Sequence, residues 1–440
     1  AIIGKSADTF TEVGNISESK FQTNTYYTKV GDNYTLAETF SASATYFTIT
    51  LGHPVGKLDE DTFNSDIFYL YDEGRSAYIK QTQYNANAEY YSKGPELKPL
   101  LITNQRELLQ AYGEPKEDNK ALLAAWEILK QSNSVLFIAV NPEEPFATEV
   151  TSIINTLTDS ENYQFEFIII PEYEGEITKG VHTYTINLAL KNLAEQRGDC
   201  FAILSLAATA DVGDKEATNT VCGFTYSLDS EFSVVVYPHQ EHEFPFFTNK
   251  IALPATVAFI TKVCENDKSG NTWDSPAGFV RGRVSNSRPI RPLSQADRSN
   301  LSEAGVTPIL IYRGQGPVIF DDRTTLNVTE GEIDDRTTFS IMRMVVKIQK
   351  DVDLITRPYL FSKITPKMFH KWEVEVSSYL ANIQRKDGLS EFKVTMDESN
   401  NDAVSEGNSE VNGIIQLRAT KNARVINLNY AITPTGIVFN

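Results

Sequence analysis

The sequence predicts a multidomain protein of mixed α/β and α+β class, and three observations carry that prediction. A Tyr- and Thr-rich region of short strand-like runs occupies residues 1–92, strands and helices alternate over 93–262, and long amphipathic helices precede alternating segments over 263–440. Enrichment in β-branched and aromatic residues with turn punctuation marks strands, and apolar runs spaced by helices mark an open α/β sheet. At 440 residues the chain exceeds one ordinary core and suits two or three domains.

In the first region, Thr45-Tyr46-Phe47-Thr48-Ile49-Thr50-Leu51 and Ile67-Phe68-Tyr69-Leu70-Tyr71 read as strands between Gly, Asn and Asp breaks. The pattern changes at Gly94-Pro95. Leu100 to Thr103 reads as a strand, and Asn104 with Glu107 three residues on caps a helix that stops near Gly113. A second helix, about Asn119 to Gln131, sets Leu122, Trp126 and Leu129 on one face and leads to the apolar strand Val135 to Val140. Strands at Phe165–Ile170 and Phe201–Leu206 follow, separated by helices near 147–157 and 184–196.

Beyond residue 263, Ser294 caps a short helix ended by Gly305, and Pro308–Tyr312 with Val318–Phe320 form a hairpin. A long helix over about Thr338–Thr356 has Ile341, Val345, Ile348, Val352 and Ile355 at three- and four-residue spacing. Arg343, Lys347 and Lys350 form a stripe opposite that apolar face. Thr365 caps the next helix, with Pro366 at its first position and Phe369, Trp372, Val376 and Leu380 turned inward. Segments at Phe392–Met396, Ile414–Leu417 and Val425–Tyr430 complete an antiparallel meander, so this C-terminal domain reads as two helices on a meander. After Thr433-Pro434-Thr435-Gly436, the apolar Ile437-Val438-Phe439 is either paired within its own domain or donated to another sheet edge.

Composition narrows the function. A net charge of −18 opposes adhesion to DNA or anionic lipid, and no stretch combines 18 apolar residues, so neither nucleic acid nor membrane is an expected partner. The absence of a basic-then-apolar leader implies synthesis and assembly in a cytoplasm. The three cysteines, Cys200, Cys222 and Cys264, match no zinc or redox spacing and read as reduced. There is no GxGxxG after the first strand of the α/β region, no GxxxxGK[ST] loop and no Gly-x-Ser-x-Gly elbow. His239-Gln240-Glu241-His242 lacks the spacing of a zinc helix, so no metal, cofactor or catalytic residue is expected. Arg281, Arg283, Arg288, Arg291 and Arg298 form a basic cluster, with internal ion pairs and a neighbour's acidic residues as its two readings.

Residues 271–283 read Asn-Thr-Trp-Asp-Ser-Pro-Ala-Gly-Phe-Val-Arg-Gly-Arg, in which bulky Trp273 and Phe279 flank a Ser275-Pro276-Ala277-Gly278 turn. Pro276 presets φ at the first corner and Gly278 tolerates a positive value. This block, Arg281 included, resembles a hallmark of contractile-tail sheath proteins of myoviruses, R-type tailocins and, more distantly, type VI secretion sheaths. The likeness continues in Leu101–Asn104, Tyr112-Gly113-Glu114-Pro115, Leu136-Phe137-Ile138, Asp199–Leu204, Pro292–Arg298, Asp322-Arg323-Thr324, Val394–Asn401 and Asn427–Tyr430. It covers roughly 93–140 and 199–440. Sheath proteins generally begin with an extended arm, and Ala1-Ile2-Ile3-Gly4-Lys5 reads instead as the strand that follows one.

The resemblance implies a structural subunit that polymerises helically around a tail tube and contracts to drive the tube through a host envelope. It implies a virion-tail location after assembly in the bacterial cytoplasm, with tube, baseplate and tail terminator proteins as partners beside further copies of itself. It assigns Ile437, Val438 and Phe439 to an inter-subunit strand, and Arg343, Lys347 and Lys350 to the tube-facing surface. Arg283, Arg288, Arg291 and Arg298 become inter-subunit contacts. The C-terminal domain would be the inner one. Another tail or baseplate structural protein with the same inner domain, a tailocin sheath, and an enzyme using the α/β sheet are the alternatives.

Overall fold

The structure, a computed structural model, describes residues 1–4, 10–14, 26–30, 33–37, 40–44, 46–49, 53–56, 68–72, 77–81, 83–85, 90–92, 99–139, 146–171, 176–178, 181–183, 185–208, 213–285, 287–312, 314, 316–328, 334–401 and 409–423. The chain divides into two compact units, Ala1–Val346 and Lys347–Asn440.

At the centre of the first unit is a five-stranded sheet ordered Phe167–Ile168, Phe201–Leu204, Ser233–Tyr237, Val306–Tyr312 and Gly316–Ile319. The first four strands are parallel and the last turns back antiparallel. The strand Ile2–Gly4 pairs in parallel with Val135–Ala139, which pairs antiparallel with Leu100–Ile102, and Ile2 also bridges Ile169 at the edge of the large sheet. The N-terminal strand is therefore a keystone between two sheets, and the expected grouping of residues 1–92 in a separate β module is corrected for residues 1–4.

Each strand alternates its side chains between two cores, as the two-residue period requires. Phe201, Ile203, Val234 and Val236 enter one core, and Ala202, Leu204, Val235 and Tyr237 enter the other. Helices cover both faces. In chain order the described helices of the two units are α1 (Gln105–Tyr112), α2 (Lys120–Ile128), α3 (Phe146–Thr156), α4 (Thr185–Arg197), α5 (Asp214–Leu228), α6 (Ala255–Asp267), α7 (Gly278–Arg281), α8 (Gln295–Glu303), α9 (Phe339–Thr356) and, in the second unit, α10 (Pro366–Arg385). Residues of α1, α2, α6 and the start of α9 fill the first core, and those of α3, α4, α5 and α8 fill the second.

The capping signals act as read. The Asn104 side chain accepts from the Glu107 amide, and Glu107 reaches back to the Thr103 amide at 2.8 Å, satisfying N–H groups that helix geometry leaves orphaned. Ser294 and Asp297 form a reciprocal capping box at α8, and Gly305 follows it at φ +80°. Helix α2 departs from the one-faced reading. Ala121 to Ala125 are all fully buried, because α2 lies between the sheet and α6.

Two four-stranded antiparallel sheets make up the described part of residues 10–92, joined by a buried hydrogen bond from the Tyr27 hydroxyl to that of Tyr69. The boundary expected at 262/263 is also corrected. Helix α6 runs across it, and Val306–Tyr312, expected in a separate C-terminal domain, pairs with Ser233–Tyr237. A parallel strand needs neighbours on both sides to satisfy its backbone, and such pairing over about 70 residues of sequence leaves no local trace.

The second unit holds the end of α9, then α10 and an antiparallel pair, Leu389–Thr395 with Ile414–Ala419. Thr365 caps α10 as expected, accepting from the Met368 amide, and Phe369, Trp372, Val376, Leu380 and Ile383 are buried. Gly413 is required by packing, since a Cβ there would stand 2.7 Å from the Trp372 ring. The third meander segment, Val425–Tyr430, lies outside the described residues.

Candidate functional site

Arg343 was expected on a solvated stripe, and here the expectation is wrong. Its side chain is 3% exposed. Its Nε donates to Glu166 Oε1 at 2.5 Å, Nη2 and Nη1 donate to the Asp267 carboxylate at 2.7 and 3.1 Å, and Nη1 also reaches the Thr272 carbonyl at 3.4 Å. The guanidinium stands over the Phe167 ring at 5.2 Å. Burial opposes the charge, but the Glu166 and Asp267 carboxylates outweigh it and hold Arg343 protonated. Arg343 is thus an internal clasp joining α9, the end of α6 and the Phe167 strand edge. Lys347 is different: it is 43% exposed and pairs with Asp351 one turn on, and Lys350 is exposed.

The 271–283 block is a rigid bracket. The Asn271 amide donates to Asp274, the Asp274 amide returns to the Asn271 carbonyl, and the Ala277 amide donates to the Ser275 hydroxyl. Pro276 is buried, and Gly278 takes φ +87°, as the turn chemistry requires. Arg281 lies 3.5 Å from Asp274, while Asn266 of α6 donates to the Arg281 carbonyl. At Gly282 a Cβ would meet the Ile319 carbonyl at 2.6 Å, and that close approach lets Ile319 donate to the Gly282 carbonyl at 2.8 Å. Trp273 is half-buried. Phe279 does not anchor a core: it is 42% exposed and meets Tyr312 and Phe320 edge to face.

The arginine cluster separates into internal and external members. Arg291 pairs with Asp214 at 2.8 Å and is only 13% exposed, and Arg298 lies over the Tyr312 ring while donating to its hydroxyl at 3.1 Å. These two belong to the internal reading rather than to a contact with a neighbour. Arg283 and Arg288 are exposed. Ile437, Val438 and Phe439 lie outside the described residues.

The His239–His242 segment carries a strand, Gln240–His242, and both histidines are buried. His239 Nδ1 shares a hydrogen bond with the Ser205 hydroxyl at 3.2 Å. Burial lowers His239 to about 3 and His242 to about 4, so both are neutral near pH 7. Among the described residues no three His, Cys, Asp or Glu side chains gather where a metal could be held, and none of the three cysteines is in a disulfide. No described helix is long and apolar enough to cross a membrane.

Sequence reasoning missed the Phe279, Tyr312 and Phe320 cluster. Its members are 33 and 8 residues apart and share no period, so only the hairpin and the bracket bring them together.

No family model matches the chain. Among curated proteins, the tail sheath protein of Vibrio phage KVP40 is 29% identical over 174 residues, 39% of this chain and 25% of that protein. The tail sheath protein of Enterobacteria phage T4 is 21% identical over 296 residues, 64% of this chain and 44% of that one. The matches thus span between a quarter and less than half the length of these relatives. Among solved structures, the contracted PVC sheath of an extracellular contractile injection system superposes with a TM-score of 0.61 at 15% identity, over 76% of this chain and 87% of that one. The contracted helical sheath of the anti-feeding prophage does so with a TM-score of 0.58 at 14% identity, over 77% and 89%. The chain is related in sequence to tail sheath proteins and shares the fold of contractile sheaths.

Proposed function

We propose that this relative of the contractile tail sheath proteins is a structural subunit of a contractile phage tail, polymerising helically around the tail tube and contracting to drive it through the host envelope. The observation that carries this reading is the sequence match to two tail sheath proteins, which reaches 64% of this chain in the longer of the two. Its energy comes from interfaces between copies, so the reading calls for no catalytic group, nucleotide or metal. Many small gains, repeated on every subunit, sum to a large total.

In this reading the Lys347–Asn440 unit carries contacts to the tube and to neighbouring copies. Lys347 and Lys350 face the tube, and Ile437, Val438 and Phe439 form a strand donated to a neighbour. Individually weak exposed charges, on the order of 0–1 kcal/mol each, suit a grip that releases along the whole tube at once. Baseplate and tail terminator proteins cap the polymer, which is assembled in the bacterial cytoplasm and works in the virion tail.

Negative-stain electron microscopy of the purified protein, with and without its tube protein, tests this reading. Long tubules are expected. Closed rings or caps would favour another tail or baseplate component, and discrete particles at high concentration beside the tube protein would end the sheath reading.

A further inference from the structure

Three aromatic rings meet at the surface of the first unit. Phe279 and Tyr312 have centroids 4.9 Å apart, Phe279 and Phe320 are 5.8 Å apart, and Tyr312 and Phe320 are 4.9 Å apart. Phe279 and Phe320 remain 42% and 41% exposed, and Val280 beside them is 91% exposed. The bracket enforces that exposure. Gly278 at φ +87° starts α7, and Gly282 is pressed against the Ile319 carbonyl, so the Phe279-Val280 pair cannot fold back without breaking both. Apolar side chains held rigidly in water are costly, and contiguous patches of them mark binding surfaces.

The rim is basic. Residues 278–288 contain three exposed arginines, Arg281, Arg283 and Arg288, and no acidic residue, within a chain of net charge −18. Arg281 has Asp274 as its near carboxylate at 3.5 Å, and the Arg283 backbone bridges Val318, two residues before Phe320. Aromatic rings with arginines are the residue types enriched at interface centres.

We infer that the Phe279–Val280–Tyr312–Phe320 patch is a docking site for an acidic surface on a second copy of this chain, an inference that rests on the self-assembly reading above. The charge pattern selects both the occupant and the symmetry. Two arginine-rimmed patches repel one another, so the patch does not pair with itself, whereas the rest of the same chain carries the excess carboxylate that complements it. A contact between two different surfaces of identical subunits is heterologous, and such contacts build open helices, or rings where the rotation closes, rather than twofold dimers.

The test places a benzophenone photo-crosslinker at Val280 in a mixture of 14N- and 15N-labelled full-length chains, assembled with the tube protein and imaged before irradiation. Expected are tubules in which mixed-isotope crosslinked peptides join residue 280 of one copy to an acid-rich segment of another. Tubules without inter-copy crosslinks from 280, or with crosslinks to the tube protein alone, would overturn the docking site while leaving the sheath reading standing. No tubules at all would end the self-assembly reading and the docking site with it. As a second arm, Phe279→Ser with Val280→Ser should raise the concentration needed for tubules by about tenfold at unchanged melting temperature. Unchanged assembly by this variant would also overturn the site.

Discussion

From Phe339 to Val346, α9 is buried on nearly every side, including the charged Arg343, whereas from Lys347 to Thr356 it turns Gln349, Lys350, Asp353 and Leu354 to solvent. One helix thus obeys two rules. Its first two turns are a core element completing the α/β layer, with Phe339 against Phe201 and Phe259 at 5.3 Å each. Its later turns are an amphipathic surface helix whose inward side serves α10, through Tyr379 donating to Asp351 at 2.6 Å and Trp372 donating to Thr356 at 2.9 Å. A single amphipathic period fitted across both halves puts Arg343 on the same stripe as Lys347 and Lys350, and this is how the helix misleads.

The largest test of the contrast is Trp372→Ala. It removes a 4% exposed ring that packs on Gly413, and we expect a loss of about 3–5 kcal/mol, read as hydrogen exchange rising across 347–423 while the Phe201–Tyr237 core stays protected. Equal loss of protection in both regions would mean that the two units unfold as one. Arg343→Ala should cost about 3 kcal/mol in denaturant melts, because Glu166 and Asp267 lose their shared cation, and Lys347→Ala should stay within about 0.5 kcal/mol. Similar costs for the two would refute the division of α9.

Acid should act on the first unit. His239 and His242 lie at about 3 and 4, well below the ordinary 6.5, because burial disfavours their charged forms. The unfolded chain therefore binds more protons as pH falls below 6.5, and the stability present above that pH is lost on the way down towards 4. Roughly 1–2 kcal/mol per histidine should be gone by pH 5.5, seen as a falling melting temperature that His239→Gln with His242→Gln flattens. A slope unchanged in that variant would assign the acid response elsewhere. The smallest effect is Lys350→Gln, expected to leave stability within about 0.5 kcal/mol yet weaken co-sedimentation with the tube protein. Normal co-sedimentation would remove Lys350 from the tube-facing surface.

What was readable in the residues has a local cause. Asn104, Ser294 and Thr365 cap helices with neighbours three positions away, Gly278 supplies a positive φ, and the apolar run from Phe201 forms a strand buried on both faces. Misreadings came where distant segments meet. The partners of Arg343 lie 177 and 76 positions away at Glu166 and Asp267, and Arg291 finds Asp214 across 77 residues.

By itself, then, the sequence determined helices α1–α4 and α8–α10, the caps at Asn104, Ser294 and Thr365, the turn at Ser275–Gly278 and the mixed class of fold, because these follow from backbone geometry within a few residues. Tertiary structure alone decided which sheet the Val306–Tyr312 strand joins, that Ile2–Gly4 bridges two sheets, which arginines are internal, and that Phe279 faces water. Those outcomes depend on which segments come into contact once the chain collapses, and a charged or aromatic side chain carries no local mark of whether its partner will be a neighbour in space or the solvent.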